Sequence, residues 1–240
     1  MIVFPMLGDS SRFFKAGYLL PKYELPVGEA TLFSKAVKTF ESYFDSEHFL
    51  FLVRKDYRGE SFVQREASRL GIKDFSILEF DHKTRGQAES VKLGLQNYEG
   101  DLPLMIFNID TIRENFTWPR NFKDGFLEVF ESEGDNWSFI KPLDDEYVAQ
   151  TTEKIRISNL CSNGMYGFSS VSLFRMTFEN FLMGDFEELY IAPLYNYLIE
   201  QGYKINYRIV SKKEIFHCGL PTDYEETNKI FLSKMESSNK

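Results

Sequence analysis

An α/β fold built on a doubly wound, mixed but mostly parallel sheet, with a β-rich lobe in its second half, is what this sequence predicts. Two observations carry that reading. Short apolar runs of strand length alternate with amphipathic helical patterns through the first half, and strand-like segments crowd the second. Ile2–Met6, a short apolar run, is the first strand. Thr31–Phe44 puts Leu32, Phe33, Ala36, Val37, Phe40 and Phe44 on one helical face. His48–Val53 reads as a second strand, and Ser61–Leu70 as a helix stopped by Gly71. Phe75–Phe80 is a third strand, Gly86–Gln96 a helix, and Leu102–Asn108 a fourth strand that ends at Asp110. In such an order ligands gather beyond the strand C-termini, where residues 7–12 and 108–110 fall.

The second half predicts strands over Phe126–Phe130, Trp137–Ile140, Tyr147–Thr152 and Met165–Phe168. Helices near Ser172–Leu182 and Tyr190–Gln201 follow, then a strand over Lys204–Val210 and a closing helix over Asp223–Lys234. With no repeat, linker or low-complexity stretch, residues 1–234 read as one domain with halves 1–112 and 113–234. The polar residues 235–240 read as a frayed tail.

Bulk properties exclude several functions. The formal charge of −8 leaves no basic stripe to displace counterions, so nucleic acid is not an expected partner. A local basic pocket on such a chain would still suit an anionic small molecule. No segment reaches the length of a membrane span, and Ile2–Leu7 is too short for a signal peptide and has no basic region before it. Cys161 and Cys218 lack metal-type spacing and fit a reducing compartment, so a cytoplasmic location is expected.

The chemistry-bearing segments each admit two readings. Leu7-Gly8-Asp9-Ser10-Ser11-Arg12, with Lys22 after Pro21, fits a loop whose backbone N–H groups and two cations meet phosphates. It also fits an ordinary turn, and it matches neither the P-loop nor the dinucleotide fingerprint. Asp110 fits a Mg²⁺ ligand or a capping aspartate. Gly86-Gln87-Ala88 fits a flat base approaching backbone, or a plain helix start. Glu153-Lys154 fits recognition of hydroxyls and a phosphate, or an exposed ion pair. Asn163 contacts a ligand or shapes a turn. His217 reads as a structural histidine, and Trp118 and Trp137 as packing residues.

Their order along the chain is more specific than any one of them. Residues Pro5-Met6-Leu7-Gly8-Asp9-Ser10-Ser11-Arg12-Phe13, Pro21-Lys22, Gly86-Gln87-Ala88-Glu89-Ser90-Val91, Asn108-Ile109-Asp110 and Trp137-Ser138 come first. Glu153-Lys154-Ile155-Arg156-Ile157-Ser158, Asn163-Gly164-Met165-Tyr166-Gly167-Phe168 and Gly219-Leu220-Pro221-Thr222-Asp223-Tyr224 follow. From Ile2 to about Glu226 the chain resembles the sugar-phosphate nucleotidyltransferases, the NDP-sugar pyrophosphorylase-like family, and looks closest to capsule- and lipopolysaccharide-cluster members.

That resemblance implies a Rossmann-like sheet with a nucleotide-binding half, 1–112, and an acceptor-binding half, 113–234. Leu7, Gly8, Asp9, Ser10 and Ser11 would cradle nucleotide phosphates, with Asn108 nearby and Gly86 and Gln87 facing the base. Arg12, Lys22, Asp110 and Lys154 would be catalytic, Asp110 holding Mg²⁺ and Lys154 the acceptor's phosphate. Glu153, Asn163 and Gly164 would bind the acceptor. The implied reaction transfers NMP from an NTP to a small phosphorylated acceptor, a sugar 1-phosphate or polyol phosphate, with release of pyrophosphate, for capsule or cell-surface polysaccharide precursors. A homodimer is common in the family.

Three positions depart from the family pattern. Ser10 replaces the second loop glycine, Gln87 replaces a threonine, and His217 stands where a second metal-binding aspartate is usual. Metal binding would then rest on Asp110, phosphates and water. A catalytically silent nucleotide- or nucleotide-sugar-binding regulatory homologue is the alternative. The presence of Arg12, Lys22, Asp110 and Lys154 favours the enzyme. A glycosyltransferase ranks last, because Asn108-Ile109-Asp110 supplies only one acid of an Asp-x-Asp motif.

Overall fold

The computed structural model describes residues 1–119, 121–182 and 188–238. Strand β1 (Ile2–Pro5) leads into a short α1 (Ser11–Lys15), and a two-residue ladder of β2 (Pro26–Val27) and β3 (Ala30–Thr31) precedes α2 (Leu32–Val37). Then come β4 (Phe49–Arg54), α3 (Gly59–Leu70), β5 (Phe75–Phe80), α4 (Gln87–Gly94) and β6 (Leu104–Phe107). The second half holds β7 (Thr111–Arg113), β8 (Gly125–Glu131), β9 (Ser138–Pro142), β10 (Val148–Glu153) and β11 (Leu160–Phe168). It closes with α5 (Val171–Phe181), α6 (Leu194–Glu200), β12 (Ile205–Ile209), β13 (Ile215–His217) and α7 (Pro221–Ser238).

One mixed sheet runs through both halves in the order β10-β9-β11-β6-β1-β4-β5, with β8 pairing β11 and β12. β1 lies parallel between β4 and β6, and β5 extends the parallel set beyond β4. β11 joins the halves, antiparallel to β6 on one side and to β8 on the other. The continuous apolar runs of β1 and β6 are buried because both sheet faces are covered. One face packs Val3, Leu52 and Ile106 under Val91 of α4, Phe174 of α5 and Leu198 of α6. The other packs an aromatic layer, in which Phe4 stacks on Phe51 at 5.4 Å, against Phe33 of α2 and Phe62 of α3.

The expected α/β class holds, and local departures have identifiable causes. The helix read over Thr31–Phe44 is α-helical only to Val37; a 3₁₀ segment follows over Lys38–Tyr43, with Phe40 at φ −108°, ψ 22°. Phe40 is seated edge-on among Phe4, Phe107 and Phe116, and the 3₁₀ turn still keeps residues three apart on one face. The helix read from Tyr190 begins at Leu194, behind Pro193. The closing helix passes Lys234 and reaches Ser238, so it takes in part of the tail, of which residues 239–240 lie outside the described residues. β7 and β13 were not legible as strands, yet their pairing sets His217 opposite Thr111, next to Asp110.

Candidate active site

β1 ends at Pro5 and hands the chain to a loop whose Met6 and Leu7 are still buried while Gly8 is exposed. Ser10 adopts a left-handed conformation, φ 49°, ψ 23°, and its carbonyl accepts from Phe13 N and Phe14 N at the start of α1. A left-handed non-glycine residue needs compensation. Here Ser10 Oγ accepts from the backbone N–H of Lys22 at 3.1 Å. The side chain that takes the place of the usual glycine is therefore turned onto the Pro21-Lys22 segment. It fastens that segment to the loop.

Lys22 points its ammonium at Asp110, Nζ to Oδ2 2.5 Å, where the chain turns between β6 and β7. Burial alone would push the Asp110 carboxyl up, but the charge and hydrogen bond of Lys22, with a smaller contribution from His217, hold it below its ordinary value. Desolvation dominates at His217 and drops its imidazole to about 4, against the opposing pull of Asp110, so the ring is neutral at physiological pH.

A cleft of about 640 Å³ opens beyond the end of β1, a volume typical of small-molecule sites. Leu7 and Gly8 form one wall; Gly86, Gln87 and Lys154 form others. Gly86 has φ +153°, and a Cβ there would meet Leu189 O at 2.4 Å, so only glycine fits. Leu189 clasps this turn from both sides, donating to Arg85 O at 2.9 Å and accepting from Ala88 N at 3.0 Å. Gln87 Nε2 donates to Asn108 Oδ1 at 2.6 Å. Gly164, at φ +90°, lies under Asn108; a Cβ on it would come within 2.4 Å of Asn108 Nδ2.

Across the cleft, Glu153 ends β10 and accepts from Ser138 Oγ, which also contacts Tyr166 Oη at 3.2 Å. Burial raises the Glu153 carboxyl, partly offset by the Ser138 hydrogen bond. Lys154, at φ +56°, donates to Tyr190 Oη, lies 4.5 Å from that ring's centre and is 3.8 Å from Glu188.

Not every expected residue converges here. Asn163 is buried at 1% exposure; its Nδ2 donates to Glu128 Oε2 at 2.8 Å and its Oδ1 accepts from Met165 N. That amide belongs to an ionic cluster under β8, in which Arg113 and Arg208 both grip the fully buried Glu128. Asp9 spends its carboxylate on the rim, accepting from Arg54 Nη1 at 2.9 Å and Lys83 Nζ at 2.8 Å. Arg12 and Ser11 are exposed on α1, and Arg12 is near enough to Tyr190 for its charge to act on the phenol. Lys22 and Asp110 do not line the cleft; Ser10 ties Lys22 to the loop after β1, and Asn108, two residues before Asp110, is bonded to the cleft-lining Gln87.

Sequence reasoning missed Arg54, Lys83, Glu188 and Tyr190. Lys83 and Arg85, two cations just before Gly86, were a usable signal; nothing local marked Tyr190.

Asp110 and His217 also bear on a metal. Among the described residues no three His, Cys, Asp or Glu side chains cluster as a metal site. The Asp110 carboxylate is near enough for its charge to act on the neutral His217 imidazole, whose Nε2 is buried with no hydrogen-bond partner. This donor pair fits a divalent ion completed by substrate oxygens and water.

A Rossmann-like sheet, glycine-bearing loops after β1 and β5 on one cleft, and lysines lining that cleft from both halves are the arrangement expected of a nucleotidyltransferase. Neither a family sequence model nor a curated protein sequence matches the chain. Solved structures do. A nucleoside-diphosphate-sugar pyrophosphorylase from Vibrio cholerae RC9 is 45% identical, superposes with a TM-score of 0.92, and aligns over 95% of this chain and 100% of its own. The chain belongs to that nucleoside-diphosphate-sugar pyrophosphorylase family of nucleotidyltransferases. The fold is shared more distantly with a putative glucose-1-phosphate thymidylyltransferase from Bacillus anthracis, at 16% identity, TM-score 0.78, 96% of this chain and 94% of that one. It is shared too with the inositol-1-phosphate CTP transferase from T. maritima, at 15% identity, TM-score 0.73, 95% and 94%. Among the described residues no helix is long and apolar enough to cross a membrane.

Proposed function

We propose that this protein transfers NMP from an NTP to a small phosphorylated acceptor, a sugar 1-phosphate or polyol phosphate, and releases pyrophosphate for cell-surface polysaccharide precursors such as capsule. The observation that carries the reading is the placing of cations. On a chain of net charge −8, Lys83, Arg85 and Lys154 line one cleft beside a single acid, Glu188, among the described residues. Such a cleft concentrates polyanions against an acidic background. The names of the relatives support the acceptor class, since they act on sugar and inositol phosphates.

In this reading an oxygen of the acceptor's phosphate attacks the nucleotide's α-phosphorus as the bond to the β-phosphate oxygen breaks. The nucleophile is already an anion, so no general base is required. The work is to hold two mutually repelling anions in line and to neutralise charge moving onto pyrophosphate. Backbone of residues 7–11 meets the triphosphate, Arg12 and Lys22 neutralise it, and Gly86 and Gln87 take the base. Glu153 and Gly164 border the acceptor, and Lys154 holds its phosphate, while Asn163 acts from beneath by fixing the β11 bulge. A divalent ion on Asp110, Mg²⁺ or a similar cation, would screen phosphate charge when bound.

Pyrophosphate release tests this, crossing CTP, UTP, dTTP, GTP and ATP with hexose 1-phosphates, polyol phosphates and glycerol phosphate. One pairing should turn over, and Lys22→Ala should slow it about 100- to 1,000-fold. Full turnover by Lys22→Ala, or a silent wild type that no nucleotide stabilises against heat, would overturn the proposal.

A further inference from the structure

His217 Nε2 is a buried nitrogen that nothing in the fold satisfies. Native proteins rarely leave such an atom unpaired, and where they do an ion or water commonly accounts for it. The ring is held firmly, 4.6 Å from the Trp137 ring and 5.2 Å from that of Phe130. The β7–β13 ladder fixes it opposite Thr111, and Cys218 N donates to Asp110 O at 2.7 Å, so the segments carrying ring and carboxylate are tied together and the charge of Asp110 acts on the ring. Lys22 holds Asp110 Oδ2 at 2.5 Å, and a Cβ on Gly219 would touch that same oxygen at 3.5 Å, so a cation here takes the other carboxylate oxygen or displaces the ammonium.

We infer that Asp110 and His217 form a mixed oxygen–nitrogen cation site that takes Co²⁺ or Mn²⁺ in preference to Mg²⁺. Mg²⁺ is a hard ion that keeps oxygen ligands and gives up its waters reluctantly. Imidazole suits first-row transition ions, whose affinity for a given nitrogen–oxygen site rises from Mn²⁺ to Co²⁺. Two protein donors leave positions for phosphate oxygens, as a nucleotide-bound ion needs. The inference rests on the nucleotidyltransferase reading for the ion's use, not for its binding.

Calorimetric titration of MgCl₂, MnCl₂ and CoCl₂ into the full chain, with Co²⁺ visible absorption recorded alongside, tests it. Wild type should bind Co²⁺ and Mn²⁺ about tenfold tighter than Mg²⁺. His217→Asn should erase that gap, and His217→Asp, an all-oxygen pair, should turn the preference toward Mg²⁺ and shift the Co²⁺ spectrum. Equal affinities for the three ions in wild type, or an unchanged Co²⁺ spectrum in both variants, overturns the inference. Imidazole NMR of wild type covers the case in which the variants fail to fold, because the chain has three histidines. Substoichiometric Mn²⁺ should broaden His217, and a sharp His217 signal at saturation overturns the inference. Pyrophosphate release separates the two readings. Turnover by a protein that fails these tests removes only the metal assignment; ion binding without turnover removes only the transferase.

Discussion

Gly86→Ala and Gly8→Ala make the same chemical change and should have opposite signatures. At Gly86 the new methyl carbon would lie 2.4 Å from Leu189 O and 2.8 Å from Leu189 N and C, at a φ that side chains rarely adopt. Overpacking of this kind costs about 1–3 kcal/mol, and a strained φ a similar amount. If the Leu189 segment moves away instead, two backbone hydrogen bonds go, at about 1 kcal/mol each. With the φ strain of about 2 kcal/mol common to both, either route gives about 4 kcal/mol, or roughly 8–16 °C in melting temperature for a chain of this size. Gly8 has nothing within 4 Å of its Cβ position, so Gly8→Ala should leave the melting temperature unchanged. That methyl instead enters the cleft and should weaken nucleotide binding about tenfold or more. Scanning calorimetry of both variants, with and without nucleotide, reads stability and binding together. A Gly86→Ala protein as stable as wild type would refute the steric argument. A Gly8→Ala protein with undiminished nucleotide binding would refute the phosphate role of the loop.

Other perturbations follow from the same geometry. Glu128→Ala strips the closer carboxylate from Arg113, whose side chain is 4% exposed, and leaves it Glu214 at 3.4 Å, so it should cost about 3 kcal/mol in urea unfolding; an unchanged midpoint would show the cluster to be energetically idle. Asp9 is held below its ordinary value first by its hydrogen bond to Lys83, then, against some desolvation, by Arg54. Its stabilisation is therefore present above about pH 4 and lost as pH falls through the folded-state value. Because Asp9 is partly exposed, Asp9→Asn should cost no more than about 1 kcal/mol at neutral pH and flatten the acid limb of the stability curve. An acid limb as steep as wild type would count against that linkage. Ser10→Gly relieves the left-handed strain but frees Lys22 N, so it should lower turnover with little change in melting temperature; unaltered turnover would show that the Ser10–Lys22 tether does not position Lys22.

How far the sequence could be read depended on whether a signal was local. The apolar runs of β1, β4 and β6 and the small residues after them carry their own periodicity, so the sheet's parallel half and the loop at residues 7–12 were legible. Gly86 was legible too, although its reason lay a hundred residues away in Leu189. β7 and β13 were not, because three-residue strands such as Ile215–His217 are too short to show alternation. Their pairing is what brings His217 beside Asp110. Asn163 looked like a ligand contact because amides at turns often are; only the buried Glu128 at position 128 explains its orientation, and no spacing announces that. Lys154 was visible, but its partners Glu188 and Tyr190 arrive by tertiary folding alone.

The place of β11 has a consequence for the nascent chain. β6 presents one edge to β1 and the other to Met165–Phe168, some sixty residues downstream. When the first 113 residues have emerged from the ribosome, β6 thus offers an open row of backbone donors and acceptors flanked by apolar side chains, a template for wrong partners. Closing it demands a long-range antiparallel contact, a slow step compared with local helix formation. The first half of the chain is, for folding purposes, unfinished until the second half has been made.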